Sequence, residues 1–309
     1  MGRIWAISIN TFREAVRDRV LVGLLGGAAS LIAFSLVLGQ LSLNNERRVV
    51  HDVGFGAISI FSVIAAVFLG ASLLYKEIER KTLYVILPKP IHRFEFLLGK
   101  YFGVLLTGAV FIAFEGSLQM LALASQWEAG SWLLGCVLCV NGLGAVVLLV
   151  RSTDTSYALL AWSICALTLS FGVAATTEMT LAPRLAQLVL TFLELAVLSA
   201  VTMFFSSFST PFLTGLFTFG VWLVGRSVDV MLATREEMVG RTTKAMLNAL
   251  VHVVPNFNLF APNRATLEKL SGEFGGVWAY VASGSGYALL YSCIVSALAC
   301  FFFSRRDFL

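Results

Sequence analysis

Charge is scarce in this sequence. Of its 309 residues only 13% are Asp, Glu, Lys or Arg, against about 25% in soluble domains. Together with 58% hydrophobic residues and a mean hydropathy of +0.85, this excludes an ordinary soluble domain and a disordered chain alike. Histidine is scarce too: His51, His92 and His252 fall in segments read as loops, far apart in the chain. No HExxH and no GxSxG occurs, and Gly99-Lys100 is followed by Tyr101 and lacks the upstream glycine of a phosphate loop. The chain is therefore read as no enzyme, and nucleotide hydrolysis is not expected of it. The five cysteines (Cys136, Cys139, Cys165, Cys293 and Cys300) all lie inside apolar runs, so they form no extracellular disulfide framework. Cys136 and Cys139 stand one helical turn apart with no His or Met beside them, and read as small-residue packing. A cleavable signal peptide is also missing. The first 19 residues carry Arg3, Arg13, Glu14, Arg17, Asp18 and Arg19, and no small-residue cleavage site follows. The N-terminus is expected to stay attached and cytoplasmic.

What remains is a set of long, nearly charge-free runs rich in Leu, Val, Ala and Phe. A helix needs roughly 20 such residues to cross the hydrocarbon core. The runs fall near 20–43, 55–75, 97–124, 131–150, 156–177, 185–208, 211–233 and 278–303. The expected fold is thus an all-α polytopic membrane bundle of about eight transmembrane helices. The runs are continuous and not alternating, which excludes a β-barrel. If residue 1 is inside, segments 1–19, 76–100, 151–155, 209–210 and 304–309 hold thirteen Lys and Arg, and the outer segments eight. Five of those eight (Arg235, Arg241, Lys244, Arg264 and Lys269) sit in the long loop 234–277, where the charge bias carries less weight. Both termini are therefore expected inside, in the cytoplasmic (inner) membrane.

Residues 1–19 read as an interfacial amphipathic helix. Trp5, Ile9, Phe12, Val16 and Val20 share one face, and Arg3, Asn10, Arg13 and Arg17 lie on another. The transmembrane domain then covers 20–309. In the extracytoplasmic loop 234–277, Leu247, Leu250, Val251 and Val254 form a short helical stripe stopped by Pro255. A second short helix is expected from an Asn263 cap to Gly272. Both are read as resting on the outer mouth of the bundle.

The inner loop 76–100 is the most informative segment. It sets Glu77, Glu79, Arg80, Lys81, Lys89, Arg93, Glu95 and Lys100 around an apolar centre, Leu83–Leu87, broken by Pro88 and Pro90. A plain solvated loop has no use for Leu83, Val85, Ile86 and Leu87. Within the spans, Glu115, Glu194, Arg226 and Asp229 are the polar candidates. Charges are costly in lipid and are expected to face the interior and pair. Arg226 and Asp229, three residues apart, can meet on one helix face. Glu194 lies near mid-span without an obvious partner, which makes it the better functional candidate.

Glu77-x-Glu79-Arg80-Lys81-Thr82-Leu83, Leu87-Pro88-x-Pro90-Ile91-x-Arg93 and Glu95-Phe96-Leu97-Leu98-Gly99-Lys100 resemble the cytoplasmic loop of ABC-2 type transporter permeases. The branch most similar is that of multicopper-enzyme-maturation and gliding-type permeases. Phe205-Ser206-Ser207-Phe208-Ser209-Thr210-Pro211 and Phe303-Ser304-Arg305-Arg306-Asp307-Phe308 are also similar to that family. The resemblance covers about 1–125 and 186–309. The family has six spans, so 126–185 reads as an extra hairpin. The resemblance implies a permease subunit of an ATP-driven ABC transporter, an exporter by expectation. Its partners would be cytoplasmic ABC ATPase subunits, a second copy or a sister permease, and membrane lipid, with no nucleic acid. No cofactor is expected in this chain; ATP and Mg would belong to the ATPase. Residues 76–100 match the coupling segment and 1–19 the connecting helix. In that reading Leu83, Val85 and Leu87 anchor the ATPase, Glu77, Glu79, Arg80 and Arg93 form a charged rim, and Pro88 and Pro90 stiffen the turn. The alternative is a non-transporting membrane partner that passes ATPase motion to another envelope protein.

Overall fold

In the computed structural model, residues 2–79, 92–127, 135–142, 144, 156–234, 240–272 and 276–305 are described. Every regular element among them is helical, as expected of backbone that must satisfy its own polar groups in lipid. Six helices among the described residues are long and apolar enough to cross a membrane. They are α2 (Arg19–Leu41), α3 (Glu46–Glu79), α4 (Arg93–Ser125), α5 (Ser156–Ala174), α6 (Ala182–Ser206) and α11 (Gly276–Arg305). The remaining elements are α1 (Gly2–Val16), α7 (Pro211–Arg226), α8 (Val228–Ala233), α9 (Arg241–Val253), a 3-10 turn (Phe257–Phe260) and α10 (Arg264–Ser271).

Local chemistry explains the helix ends. Asp18 caps α2 by accepting from the Val20 amide at 3.0 Å. Glu95, three residues into α4, accepts from the His92 amide at 3.1 Å. Pro183 occupies the first turn of α6 and Pro211 that of α7. Two apolar runs depart from the expected eight spans. The run 211–233 is broken at Ser227, leaving a 16-residue α7 and a 6-residue α8. Ser227 leaves helical geometry with φ −94° and ψ 1°, while its amide and hydroxyl both return to the Leu223 carbonyl. Arg226 in the last turn of α7 and Asp229 in the first turn of α8 each suit the dipole of their own helix. The run 131–150 lies largely outside the described residues; 135–142 and 144 are helical.

Among the six long helices α6 is the most enclosed, and it packs on α3, α4, α7 and α11. The start of α1 and the end of α11 lie together at the start of α4. Arg93, at the start of α4, donates to the Ser304 carbonyl near the end of α11 at 2.8 Å. Beside it, α1 is laid along α4. Ser8, Ile9, Thr11, Phe12 and Ala15 of α1 are buried, so two residues of the expected membrane-facing stripe, Ile9 and Phe12, face protein. Trp5 stays 54% exposed. The two helices meet closely because α4 offers Gly103: a Cβ there would lie 2.5 Å from Thr11 Cβ and 2.9 Å from the Ser8 carbonyl. Lys100, buried in α4, reaches Glu14 at 3.5 Å, and Arg3 reaches Glu95 at 4.0 Å.

At the far end, the stretch between α9 and α10 dips into the bundle. Tyr291 donates to the Val253 carbonyl at 3.1 Å, the Asn256 amide donates to Tyr287 at 3.0 Å, and Tyr280 donates to the Leu259 carbonyl at 2.8 Å. Tyr291 is 15 residues into α11, roughly 22 Å along it at 1.5 Å per residue. Residues 253–260 therefore enter about half the length of α11, and bury Phe257 and Phe260. Gly225 admits them, since a Cβ there would lie 2.3 Å from the Pro255 carbonyl. Lys244 of α9 donates to the carbonyls of Met231, Leu232 and Thr234, satisfying orphan groups at the end of α8.

Candidate functional site

Halfway along α6 a carboxylate is buried in the bundle. Glu194 is fully buried, and it is not without partners. Ser59 of α3 donates to its Oε2 at 3.1 Å. Trp222 of α7 donates through Nε1 to its Oε1 at 2.8 Å. Arg226 Nη2 lies 3.4 Å from Oε1 and donates to Ser59 Oγ at 3.2 Å. The serine hydroxyl thus accepts from the cation and donates to the anion, which closes a ring across α3, α6 and α7. Both carboxylate oxygens are satisfied, the condition for holding a charge away from water.

The pairing corrects two expectations. Arg226 meets Glu194 and not Asp229, because the break at Ser227 turns α8 away and leaves Asp229 exposed. Glu194 has three partners where the sequence offered none in view. Ser59 and Trp222 were missed. The signal for Trp222 was present: it stands four residues before Arg226 on the same helix face, with the guanidinium 5.7 Å from its ring centroid. Ser59 had no signal beyond being a hydroxyl in an apolar run.

Arg226 is the last residue of α7, directly before the break, and its side chain keeps 24% exposure while that of Glu194 keeps 1%. A charge pair at a helix break ties a joint between two helical pieces to the most enclosed helix. Such an arrangement can hold one packing of α3, α6 and α7 and release another when the pair opens.

Glu115 stands apart from this ring. It is fully buried in α4, and neither carboxylate oxygen has a hydrogen-bond partner. It lies seven residues beyond Gly108, whose position faces Leu195 of α6, so it faces the bundle interior. An unsatisfied buried polar group costs about 1–3 kcal/mol. Replacing Glu115 with Leu is therefore expected to raise the thermal midpoint of the folded chain. An unchanged or lowered midpoint would mean that the carboxyl group is satisfied after all. A gain in stability accompanied by loss of activity would mark it as retained for function.

Of the inner-loop candidates, Arg93 is described and bound to the end of α11. Glu77 and Glu79 belong to the last turns of α3. Arg80, Leu83, Val85, Leu87, Pro88 and Pro90 lie outside the described residues. Cys136 and Cys139 are both exposed. Among the described residues no group of three or more His, Cys, Asp or Glu is placed to hold a metal ion. Comparison with the known protein families and with curated proteins found no match.

Proposed function

We propose that this chain is the membrane permease subunit of an ATP-driven ABC transporter of the exporting kind, coupled to separate cytoplasmic ATPase subunits. The observation that carries the reading is the continuity of α3. One unbroken helix runs from Glu46 to Glu79. It holds Ser59 in the Glu194–Arg226 ring and Glu77 and Glu79 at the start of the coupling segment. Ser59 and Glu79 are 20 residues apart, about 30 Å of rigid helix. The segment leaves α3 and re-enters at α4, which carries α1 along its side and is tied by Arg93 to the end of α11. A push on the segment is thereby applied to four elements at once, and one of them, α3, carries Ser59 of the buried charge ring.

In this reading both termini and 76–100 are cytoplasmic, and α1, seated against the first turns of α4, keeps Trp5 exposed at the cytoplasmic interface. Eight crossings follow if 131–150 spans and α7 with α8 completes a crossing. The subunit pairs with a second copy or a sister permease. The two membrane states need differ only in affinity for the closed ATPase, since a partner shifts an equilibrium by its differential affinity alone. Leu83, Val85 and Leu87 supply the apolar anchors, and Glu77, Glu79, Arg80 and Arg93 the polar surround. Substituting Leu83 and Leu87 together by Asp is expected to abolish co-purification of an ATPase subunit while the chain stays folded. Undiminished co-purification and transport in that variant would defeat the docking assignment.

A further inference from the structure

The end of the bundle opposite the start of α4 gathers arginines from separate parts of the chain. Arg47 and Arg48 open α3, Arg184 is in the first turn of α6, and Arg264 opens α10. In sequence they are scattered over more than 200 positions. Three of them, Arg47, Arg48 and Arg264, border one polar cavity of about 420 Å³ with Asn44, Asn45 and Glu46. Two of the three, Arg47 and Arg264, donate a hydrogen bond through Nε, and Arg48 pairs more loosely with Asp52. Arg47 donates to the Gln126 carbonyl at 3.2 Å, and its guanidinium carbon lies 4.1 Å from the Trp127 ring centroid. Arg48 Nε lies 3.6 Å from Asp52. Arg264 Nε donates to Glu268 at 2.7 Å, and the same carboxylate serves the buried Arg184 at 3.7 Å. Among the described residues the outer nitrogens of Arg47, Arg48 and Arg264 make no hydrogen bond or ion pair.

We infer that this cavity binds a phosphate ester whose second substituent carries hydrogen-bond donors, an amine or hydroxyls. Three arguments lead there. Guanidinium forks match phosphate oxygens two at a time. Arg47 and Arg264, already bonded through Nε, lose less side-chain freedom when they take a ligand, which lowers a usual penalty of binding. The third argument is the size and sign of the cavity. The depression is open to the surface, and its volume falls in the range of sites that admit small organic molecules, about 300–1,000 Å³. Glu46 would repel a bare anion, yet its carboxylate is the right group for an ammonium or hydroxyl beyond the phosphate. The wall before Glu46 is shaped by Asn44, which adopts φ 65° and is the one non-glycine with positive φ among the described residues. Asparagine is one of the few residues that tolerates that region, so the loop's backbone is specified and not slack. The assignment is independent of the transport reading. A lipid headgroup and a soluble phosphate ester share this chemistry.

The test uses the whole chain purified in detergent and native mass spectrometry. The probes are phosphatidylethanolamine, phosphatidylcholine, diacylglycerol and the soluble glycerophosphoethanolamine. Phosphatidylethanolamine is expected to be retained over diacylglycerol, and retention to fall about tenfold or more in the Arg47→Gln/Arg264→Gln variant, since hydrogen bonds to charged groups are strong. Glu46→Gln keeps all three arginines and is expected to erase the preference for phosphatidylethanolamine over phosphatidylcholine, which has no donor. That variant keeps the assignment testable if the double arginine variant does not assemble. Binding of the soluble ester at comparable strength assigns a soluble ligand; binding of the lipid alone assigns a headgroup. Equal retention of diacylglycerol and phospholipid overturns the site. So does retention unaffected by both variants.

Discussion

Replacing Arg226 with Met is expected to destabilise the chain by about 3–5 kcal/mol, the usual consequence of leaving a buried charge without its partner. Glu194 would remain inside α6 with Ser59 and Trp222 as donors and no cation. The partial exposure of Arg226, 24% of its side chain, sets the expected loss toward the lower end, because water shares in solvating the cation. Glu194→Gln alone should also be harmful, since it strands Arg226 at the end of α7. The double variant Glu194→Gln/Arg226→Met should recover most of the loss. It removes both charges and leaves a carbonyl for the Trp222 N–H. A thermal melt of the four proteins measures the coupling. Additive losses would show that the pair contributes nothing as a pair. If the double variant melts like the parent but no longer couples ATP hydrolysis to transport, the ring is a joint and not only a brace.

The second large effect is expected at Gly103. A leucine there cannot be accommodated by side-chain adjustment, because the nearest obstacles include the Ser8 carbonyl at 2.9 Å as well as Thr11 Cβ at 2.5 Å. Overpacking costs about 1–3 kcal/mol where neighbours can shift, and here the whole of α1 must move. Its displacement uncovers Ile9 and Phe12 and draws Glu14 away from Lys100. Amide exchange over residues 2–16 should lose its protection while α6 keeps its own. A control is Gly23→Ala on α2, where nothing lies within 4 Å of the added carbon, and protection over residues 2–16 is expected to stay unchanged. Unaltered protection in Gly103→Leu would show that α1 is not seated on α4. In the transporter reading the same variant should also weaken coupling, because α1 and α4 flank the segment that meets the ATPase.

How far the site could be read from residues alone depends on distance along the chain. Glu194, Arg226 and Glu115 stood out because a charge in an apolar run is costly in lipid. Their partners did not. Neighbours at three or four positions are visible in a helical sequence, and that rule proposed Arg226 with Asp229. It failed because the helix ends between them at Ser227, a residue with nothing in its type that forbids helix. Glu194 takes its serine from 135 positions away and its tryptophan and arginine from the next helix. No local periodicity carries such pairings.

The sequence by itself determined the all-helical membrane class, and six of its eight expected runs coincide with helices of membrane-spanning length among the described residues. Long apolar runs in lipid leave the backbone no other way to satisfy itself, and Asp18, Asn263, Pro183 and Pro211 mark ends through local hydrogen bonds and fixed dihedrals that need no tertiary partner. Only the tertiary structure decided which face of each helix meets which neighbour. Helices such as α5 and α11 are apolar nearly all round, so burial cannot pick a face for them. Between helices in lipid the choice falls to close fit at small residues, as where Gly103 receives α1 and Gly225 receives the stretch around Pro255. It falls also to the few polar groups that must find one another, as Glu194, Ser59, Trp222 and Arg226 do. Both are properties of surfaces brought together from distant parts of the chain, and they come into being only when the helices pack.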